Sequence, residues 1–419
     1  MLIHSAKQLL TLAGGPQRSS KLGTLGVIED GAVLIQDSRI VAVGRSAALR
    51  AAHPNEEALD ASNRVVMPGF VDAHSHPIWL GDRAAEFEQR LQGKTYLEIL
   101  EAGGGILSTV RATRSGSVQQ LIESTRPRLR SMFAHGSTTI EAKTGYGLEL
   151  QAELRMLEAL LKLDDEGPWE LAITFLGAHA IPAEFKGRAG DYTAELSQNW
   201  LPAVKTWWQA NASIKPLPFV DAFCETGAFD LSQTRLILET AKGLGFPIKV
   251  HSDEFDNLGG TSLAIELGAT SADHLTAISK AEISALGKSD TVAVALPATP
   301  FGLAESHYMP AKEILAAGGL LALGSDLNPG TAWCENIQFA LALACRQLKL
   351  TPAQTIAAAT INSAAAVGRQ STVGSIEVGK QADLLILDVE DYRHLGYRFG
   401  TNLVHTVVKK GVPYQVQTK

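Results

Sequence analysis

The chain has 419 residues, of which 45% are hydrophobic and 19% are charged. This composition is typical of a globular protein and excludes a disordered or fibrous chain. The formal net charge of -7 and the lack of any long basic run argue against nucleic acid as the main partner. We therefore expect small-molecule chemistry, and the length accommodates a barrel of about 250 residues with one small additional domain.

The cysteines Cys224, Cys334 and Cys345 are odd in number and include no CxxC spacing. They predict neither a disulfide framework nor a zinc knuckle, and they favour a reducing compartment. Lys7 and Gln8 interrupt N-terminal apolar residues that are too few for an export signal. No stretch approaches the ~18 consecutive apolar residues that a membrane span requires. We expect a cytoplasmic protein with no membrane partner.

Residues 25–44 alternate between apolar and polar side chains, and the alternation is interrupted at Asp30-Gly31 and at Asp37-Ser38. This is the pattern of antiparallel strands joined by short turns. We therefore predict a turn at each dipeptide, within a small β-sheet region near the N-terminus.

Short apolar runs alternate with helical segments along the middle of the chain, which favours a parallel sheet over a sandwich. We count eight such runs, the number of strands that closes a (β/α)8 barrel. The sequence therefore predicts an α/β fold with a TIM-like (β/α)8 barrel. The eight runs are residues 66–74, 137–143, 171–177, 219–224, 247–251, 270–274, 292–297 and 320–326.

The C-terminal part of the chain returns to the alternating pattern, with strands predicted at residues 382–387 and 404–409. We predict that both chain ends form one small β-sandwich domain. Its two parts would be residues 1–65 and 366–419, on either side of a barrel of residues 66–365.

Five of the barrel runs end in a possible metal ligand or proton carrier: DAHSH, GAHA, KVHSDE, SADHL and GSDLNPG. In closed α/β barrels the catalytic groups lie at the C-terminal ends of the strands. His74 and His76 are two residues apart in an extended segment, so both imidazoles point the same way. Together with His251, His274 and Asp326 they are typical of a metal site with a position for water. The alternative for the HxH pair alone is two surface histidines.

The loop after the fifth run places a carboxylate near these histidines. His251 ends the strand, and Glu254 follows three residues later, where it could carry a proton over a substrate. Asp326, at the end of the eighth run, is well placed to accept a proton from a metal-bound water. The alternative for each residue alone is a hydrogen-bonded polar group of the core.

PGFVDAHSH, the lone barrel-end aspartate and the flanking β-strands resemble the amidohydrolase superfamily. Further segments resemble the imidazolonepropionase family within it, in the right order and over nearly the whole chain. These segments are GDRAAEFEQRLQGKTYLEILEAGGGILSTVRATR, KTGYGL, FLGAHAIP, VDAFCE, KVHSDE, SADHL and SDLNPG.

The resemblance implies metal-dependent hydrolysis of a cyclic amide C–N bond, 4-imidazolone-5-propanoate giving N-formimidoyl-L-glutamate in histidine degradation. It implies one zinc or iron ion held by His74, His76, His251 and Asp326. The catalytic residues it implies are Asp326, His274 and Glu254. The substrate contacts it implies are Arg83, Tyr96, Tyr146, His179, Glu254, Asn328, Gly330 and Thr331.

A guanidinium such as that of Arg83 could bind a substrate carboxylate through two charge-assisted hydrogen bonds. Many superfamily members hold two metals bridged by a carbamylated lysine at the end of strand four. The fourth run here ends without a lysine, so one metal is expected, although Glu225 leaves a metal-related role open. We predict that Lys143 and Lys249, on other strands, pair with nearby acids.

Two other functions fit parts of the pattern. An aminohydrolase that deaminates a purine, pterin or cytosine-like ring would also use a ligand histidine followed three residues later by a glutamate. A non-catalytic barrel that serves as a binding protein is the alternative from another class. We also expect a homodimer.

Overall fold

The computed structural model of the protein describes residues 1–94, 98 and 104–416. Tyr96, a predicted substrate contact, lies outside the described residues. The strands of the described part are β1 (Leu2–Leu10), β2 (Val27–Gln36), β3 (Arg39–Arg45), β4 (Ala58–Asp60), β5 (Val65–Pro68), β6 (Phe70–Asp72), β7 (Ser137–Lys143), β8 (Glu170–Ala178), β9 (Phe219–Cys224), β10 (Ile248–Ser252), β11 (Ser271–His274), β12 (Val292–Ala295), β13 (Leu320–Leu323), β14 (Leu384–Leu387), β15 (Val404–Lys409) and β16 (Val412–Gln415).

Helices connect these strands. The α-helices are Ser46–Ala52, Ala84–Leu91, Ile106–Ser115, Val118–Ala134, Leu150–Glu166, Ala189–Glu195, Leu201–Asn211, Leu231–Gly243, Gly260–Leu267, Lys280–Leu286, Ala298–Gly302, Ala311–Ala317, Ile337–Gln347, Pro352–Ala357, Ser363–Ala366 and His394–Tyr397. Within the described ranges, no helix is both long and apolar enough to cross a membrane.

Strands β6 to β13 form one parallel sheet in which neighbours in sequence are neighbours in space. The first and last of them are joined at their C-terminal ends by two backbone hydrogen bonds. His76 N–H donates to the Leu327 carbonyl at 2.8 Å, and Asp326 N–H donates to the His74 carbonyl at 2.9 Å. The predicted (β/α)8 barrel is therefore confirmed, and each predicted run contributes a strand to it.

The first predicted run, residues 66–74, is wrong as a single barrel strand. It is divided at Gly69, where β5 ends in another sheet and β6 begins in the barrel. The backbone changes partner there, since Gly69 N–H donates to Asp383 at 3.0 Å and Phe70 N–H donates to Gly136 at 3.0 Å. A Cβ atom at Gly69 would collide with the Thr138 hydroxyl, so only glycine fits this crossing point.

The chain ends form a second, mixed sheet, which confirms that both ends contribute to one small β domain. Strand β5 pairs with β1 on one side and with β14 on the other, which joins the two ends of the chain. Alternate residues face opposite sides. Val65 and Leu385 pack in the core shared with the barrel, whereas Val66 and Leu384 pack in a separate core of the terminal sheet. The division of the chain into domains at residues 65 and 365 stays a prediction.

One of the two predicted N-terminal turns is confirmed and the other is wrong. Asp37 and Ser38 join β2 to β3 with positive φ angles of 47° and 66°, as in a tight hairpin. Asp30, with φ of 51°, and Gly31 instead lie inside β2. Pairing with β1 continues through them, with Gly31 opposite Ala6 and Glu29 opposite Gln8, and the only register shift of this pair lies in β1 between Ile3 and Ala6.

Candidate active site

Four side chains converge at the C-terminal mouth of the barrel. The Nε2 atom of His76 lies 3.3 Å from Nε2 of His74 and 3.4 Å from Nε2 of His251. Asp326 Oδ1 lies 3.5 Å from Nε2 of both His74 and His76. Ligands held ~2.1 Å from one cation in a tetrahedron are about 3.4 Å apart. These four distances fit side chains around a single metal ion: His74, His76 and Asp326 form one compact group, and His251 adjoins it through His76.

The protonation of the histidines also fits a cation. Nδ1 of His74 lies 2.7 Å from Asp273 Oδ2, and Nδ1 of His251 lies 2.8 Å from Asp221 Oδ2. A carboxylate facing Nδ1 keeps the proton on that nitrogen and leaves the lone pair on Nε2. Burial lowers the pKa of His74 well below its usual value, which favours the neutral, ligating form. Lone pairs converging on one point repel each other unless a cation lies between them.

Beneath these four side chains the barrel contains a fully buried ion network. Lys143 Nζ lies 2.7 Å from Asp221 and 2.9 Å from Glu141, while Lys249 Nζ lies 2.7 Å from the other oxygen of Glu141. Both ammonium groups are 3.7 Å from Asp273. The predicted pairing of the two lysines with acids is confirmed. The network also links the carboxylates behind two of the converging histidines.

Glu225, whose role the sequence left open, anchors a loop. Its carboxylate accepts hydrogen bonds from the backbone N–H groups of Thr226 at 2.8 Å, Phe255 at 3.0 Å and Asp256 at 3.1 Å. In the described part of the chain it belongs to none of the groups that could hold a metal ion. Glu225 therefore fixes the loop that follows Glu254.

His274 and Glu254 lie beside the four converging side chains. His274 Nε2 is 3.6 Å from Glu254 Oε2, and its ring centroid is 5.3 Å from that of His74. Burial lowers the pKa of His274 well below its usual value and raises that of Glu254 well above it. At neutral pH the imidazole is therefore uncharged and the carboxyl group can carry a proton.

The backbone at two site residues is strained. His274 has φ of 80° and Asp326 has φ of 49°, in the left-handed region that residues other than glycine rarely occupy. Asp326 is held further by Thr299, whose hydroxyl donates to its Oδ2 at 2.5 Å. Burial raises the pKa of Asp326 to about 6. This geometry aims one carboxylate oxygen at the histidines and ties the other to helix Ala298–Gly302, which follows β12.

Tyr146 and His179 are placed together on the side of His76. The His179 ring stacks on His76 with centroids 5.0 Å apart and an interplanar angle of 17°. The Tyr146 ring is 5.2 Å from His179 and 6.1 Å from His76. Burial lowers the pKa of His179 to about 3, so its ring is neutral.

Arg83 lies against the loop after β13. Its Nε donates to Glu86 at 2.9 Å, and a Cβ atom at Gly330 would approach Arg83 Nη1 to 2.6 Å, so glycine permits this contact. Asn328 Oδ1 accepts from the backbone N–H groups of Gly330 and Thr331, both at 2.8 Å. The Asn328 side chain thus shapes the loop from within.

Sequence reasoning missed several residues that hold the site together: Glu141, Glu153, Asp221, Asp273 and Thr299. One signal was available for the acids, since a charged residue inside a buried strand is nearly always paired. Asp221 and Asp273 both stand in barrel strands, and Asp273 directly precedes His274. Nothing comparable marked Thr299.

Curated relatives match the chain over nearly its full length. It is 48% identical over 410 residues to the imidazolonepropionase of Herpetosiphon aurantiacus, covering 98% of this chain and 96% of the relative. It is 48% identical over 415 residues to the imidazolonepropionase of Chloroflexus aggregans, covering 98% and 97%. The chain belongs to the imidazolonepropionase family.

Two protein-family models match parts of this chain. "Amidohydrolase family" matches residues 232–413, and "Imidazolonepropionase-like composite domain, bacteria" matches residues 31–55. The protein is therefore a hydrolytic enzyme of a metal-dependent family, and the histidine and aspartate cluster could hold the metal ion.

Solved structures of other hydrolases share the imidazolonepropionase fold. A triazine hydrolase variant superposes with a TM-score of 0.78 at 17% identity, covering 98% of this chain and 94% of that chain. An adenosine deaminase from Xanthomonas campestris, with bound zinc, has a TM-score of 0.71 at 20% identity, covering 99% and 93%. At these identities the likeness shows the fold alone.

Proposed function

We propose that this protein hydrolyses 4-imidazolone-5-propanoate to N-formimidoyl-L-glutamate, the ring-opening step of histidine degradation. The observation that carries the proposal is the position of Arg83, which packs against Gly330 in the loop that follows Asp326. The charges of Arg83 and Asp326 both act on the buried Tyr146 hydroxyl. A small substrate could therefore reach the converging ligands with its ring and Arg83 with its propionate.

The proposed metal is one zinc or iron ion held by His74, His76, His251 and Asp326. When bound, it would supply Lewis-acid chemistry, making a water acidic enough to provide hydroxide at neutral pH.

The side chains around the cluster have separate roles in the proposed reaction. Asp326 accepts a proton from the attacking water, and neutral His274 orients or relays it. Water adds to the ring carbonyl carbon, the amide C–N bond breaks, and the ring nitrogen takes up a proton. Glu254, whose pKa is raised by burial and whose Oε2 lies 3.6 Å from His274 Nε2, would deliver that proton.

Removal of the metal is expected to abolish turnover reversibly. Purified protein should contain close to one zinc or iron ion per chain by elemental analysis. Dialysis against a chelator should remove both metal and activity, and addition of one metal equivalent should restore them. Full activity in protein shown to be metal-free would contradict the proposed mechanism.

Arg83→Ala is expected to lower kcat/KM about ten- to a hundredfold. The reason is the loss of charge-assisted hydrogen bonds to the substrate carboxylate, worth about 1.5 to 3 kcal/mol. Arg83→Lys should recover only part of the loss, because an ammonium group cannot form the two-pronged contact. Steady-state kinetics on imidazolone propionate would measure both effects.

The control for Arg83 is the same ring with its carboxylate amidated. Wild type should turn over this amide poorly, and Arg83→Ala should differ little from wild type on it. Arg235→Ala, which removes an exposed arginine paired with Glu239 and Glu266, should leave both substrates unaffected. Equal wild-type activity on acid and amide, or deamination of a purine or pterin ring instead, would overturn the substrate assignment.

A further inference from the structure

The loop that carries Tyr146 is held from two sides by opposite charges. This Tyr146 loop, residues 144–148, follows β7 and precedes helix Leu150–Glu166. Its backbone N–H groups face a buried carboxylate, and two of its carbonyl groups face a guanidinium. Neither of these charged residues belongs to the groups of described residues that could hold a metal ion.

The buried carboxylate is Glu153, in the first turn of that helix. Its Oε1 accepts from the N–H groups of Gly147 at 2.7 Å and Leu148 at 2.9 Å, and its Oε2 accepts from Gly145 at 3.0 Å. The side chain is fully buried. A buried carboxylate needs such donors, and three backbone donors make its position and the loop's conformation mutually dependent.

The guanidinium is Arg114, on helix Ile106–Ser115. Its Nε donates to the Gly147 carbonyl at 2.6 Å, and its Nη2 donates to the Leu148 carbonyl at 2.6 Å. Glu184 accepts a further hydrogen bond from Nη2 at 2.7 Å and orients the guanidinium. The donors and acceptors of the same short backbone segment are therefore bound to an anion and a cation respectively.

The Tyr146 loop also positions His179. The carbonyl of Gly145 accepts a hydrogen bond from His179 Nδ1 at 3.0 Å, which leaves the lone pair on Nε2. Gly145 has φ of 105°, and a Cβ atom there would lie 2.7 Å from the Leu176 carbonyl oxygen and 3.0 Å from His179 Nδ1. A shift of this loop would therefore move His179 as well as Tyr146.

We propose that Glu153, with Arg114 as its counterpart, is a positioning residue for substrate binding. Its carboxylate holds the Tyr146 loop so that Tyr146 and His179 meet the substrate beside His76. The inference rests on the proposed function, which makes Tyr146 and His179 substrate contacts. In this proposal Glu153 itself contacts neither the substrate nor the metal.

Glu153→Gln tests the role, because the amide keeps the size of the side chain but places N–H groups against a backbone N–H. We expect KM for imidazolone propionate to rise about tenfold or more, with a smaller change in kcat and an unchanged metal content. Backbone amides of the Tyr146 loop should exchange hydrogen faster, as measured by mass spectrometry of the peptide that contains them.

A variant that lacks both the Tyr146 hydroxyl and the His179 imidazole distinguishes a positioning role of Glu153 from a general loss of stability. In Tyr146→Phe/His179→Ala protein, adding Glu153→Gln should change KM by less than about twofold, since the groups it positions are gone. An equal effect in both backgrounds would overturn the proposal. Glu282→Gln is the matched control, because Glu282 is also a buried carboxylate that accepts backbone N–H groups, from Ser262 and Ser279. It should lower the melting temperature and leave KM unchanged.

If Glu153→Gln fails to fold, Arg114→Gln provides the same test. Arg114 binds the same loop, and its side chain is only half-buried. It should raise KM about threefold or more at unchanged metal content, and an unchanged KM would contradict the role. Wild type that does not hydrolyse imidazolone propionate would refute the proposed function and, with it, the substrate role of Glu153. Active wild type combined with a wild-type KM in these variants would refute the positioning role alone.

Discussion

Replacement of His74 by alanine is expected to lower kcat by at least about a thousandfold while leaving a folded barrel. The Nε2 atom of His74 is one of the four converging atoms that we propose hold the metal, and its Nδ1 faces Asp273. The alanine variant loses this ligand and should lose most of its bound metal. Elemental analysis, circular dichroism and steady-state kinetics on one preparation would measure metal, fold and activity together.

Asp326→Asn provides a companion variant of similar shape. It should also abolish turnover, because the amide cannot accept the proton, but it should retain more metal than the alanine variant does. His405→Ala, in β15 of the terminal sheet, serves as a control that should keep both metal and activity. An unfolded His74→Ala or Asp326→Asn protein would instead indicate that the cluster is needed for stability. Retained turnover in His74→Ala would rule out the assigned ligand set.

Lys143→Met is expected to lower the free energy of unfolding by about 3 to 5 kcal/mol. The ammonium of Lys143 lies 2.9 Å from Glu141 and 2.7 Å from Asp221, and all three side chains are fully buried. Methionine fills a similar volume but leaves both carboxylates without that cation. Urea denaturation of metal-free protein would isolate this cost from the stabilisation contributed by a bound metal.

Lys162→Met is the matched control, since Lys162 forms an exposed helical ion pair with Glu158 at 2.7 Å. Its free energy of unfolding should change by less than about 1 kcal/mol. Because Asp221 lies behind His251, the Lys143 variant should also bind metal more weakly than Lys162→Met. Equal stability of the two variants would mean that the buried network does not depend on its lysine.

The order of strands and the ligand-bearing strand ends could be read from the sequence. Alternation of apolar runs and helical segments allows few arrangements, and a parallel barrel brings every strand's C-terminal end to one mouth. His74, His251 and Asp326 were therefore expected to meet although they are far apart along the chain. Local patterns sufficed because strand periodicity and connection length are local properties.

The contacts between side chains of different strands could not be predicted from the sequence, because they form only in the folded chain. Asp273 lies 199 residues from His74, and their hydrogen bond forms because the closed barrel brings together the ends of β6 and β11, which are not neighbouring strands. Likewise, the break at Gly69 arises because the two halves of one strand run pair in different sheets. Arg114 binds the Tyr146 loop although it lies 33 residues from Gly147 along the chain. Such contacts depend on distances of a few tenths of an ångström between distant segments, which no local pattern of residues encodes.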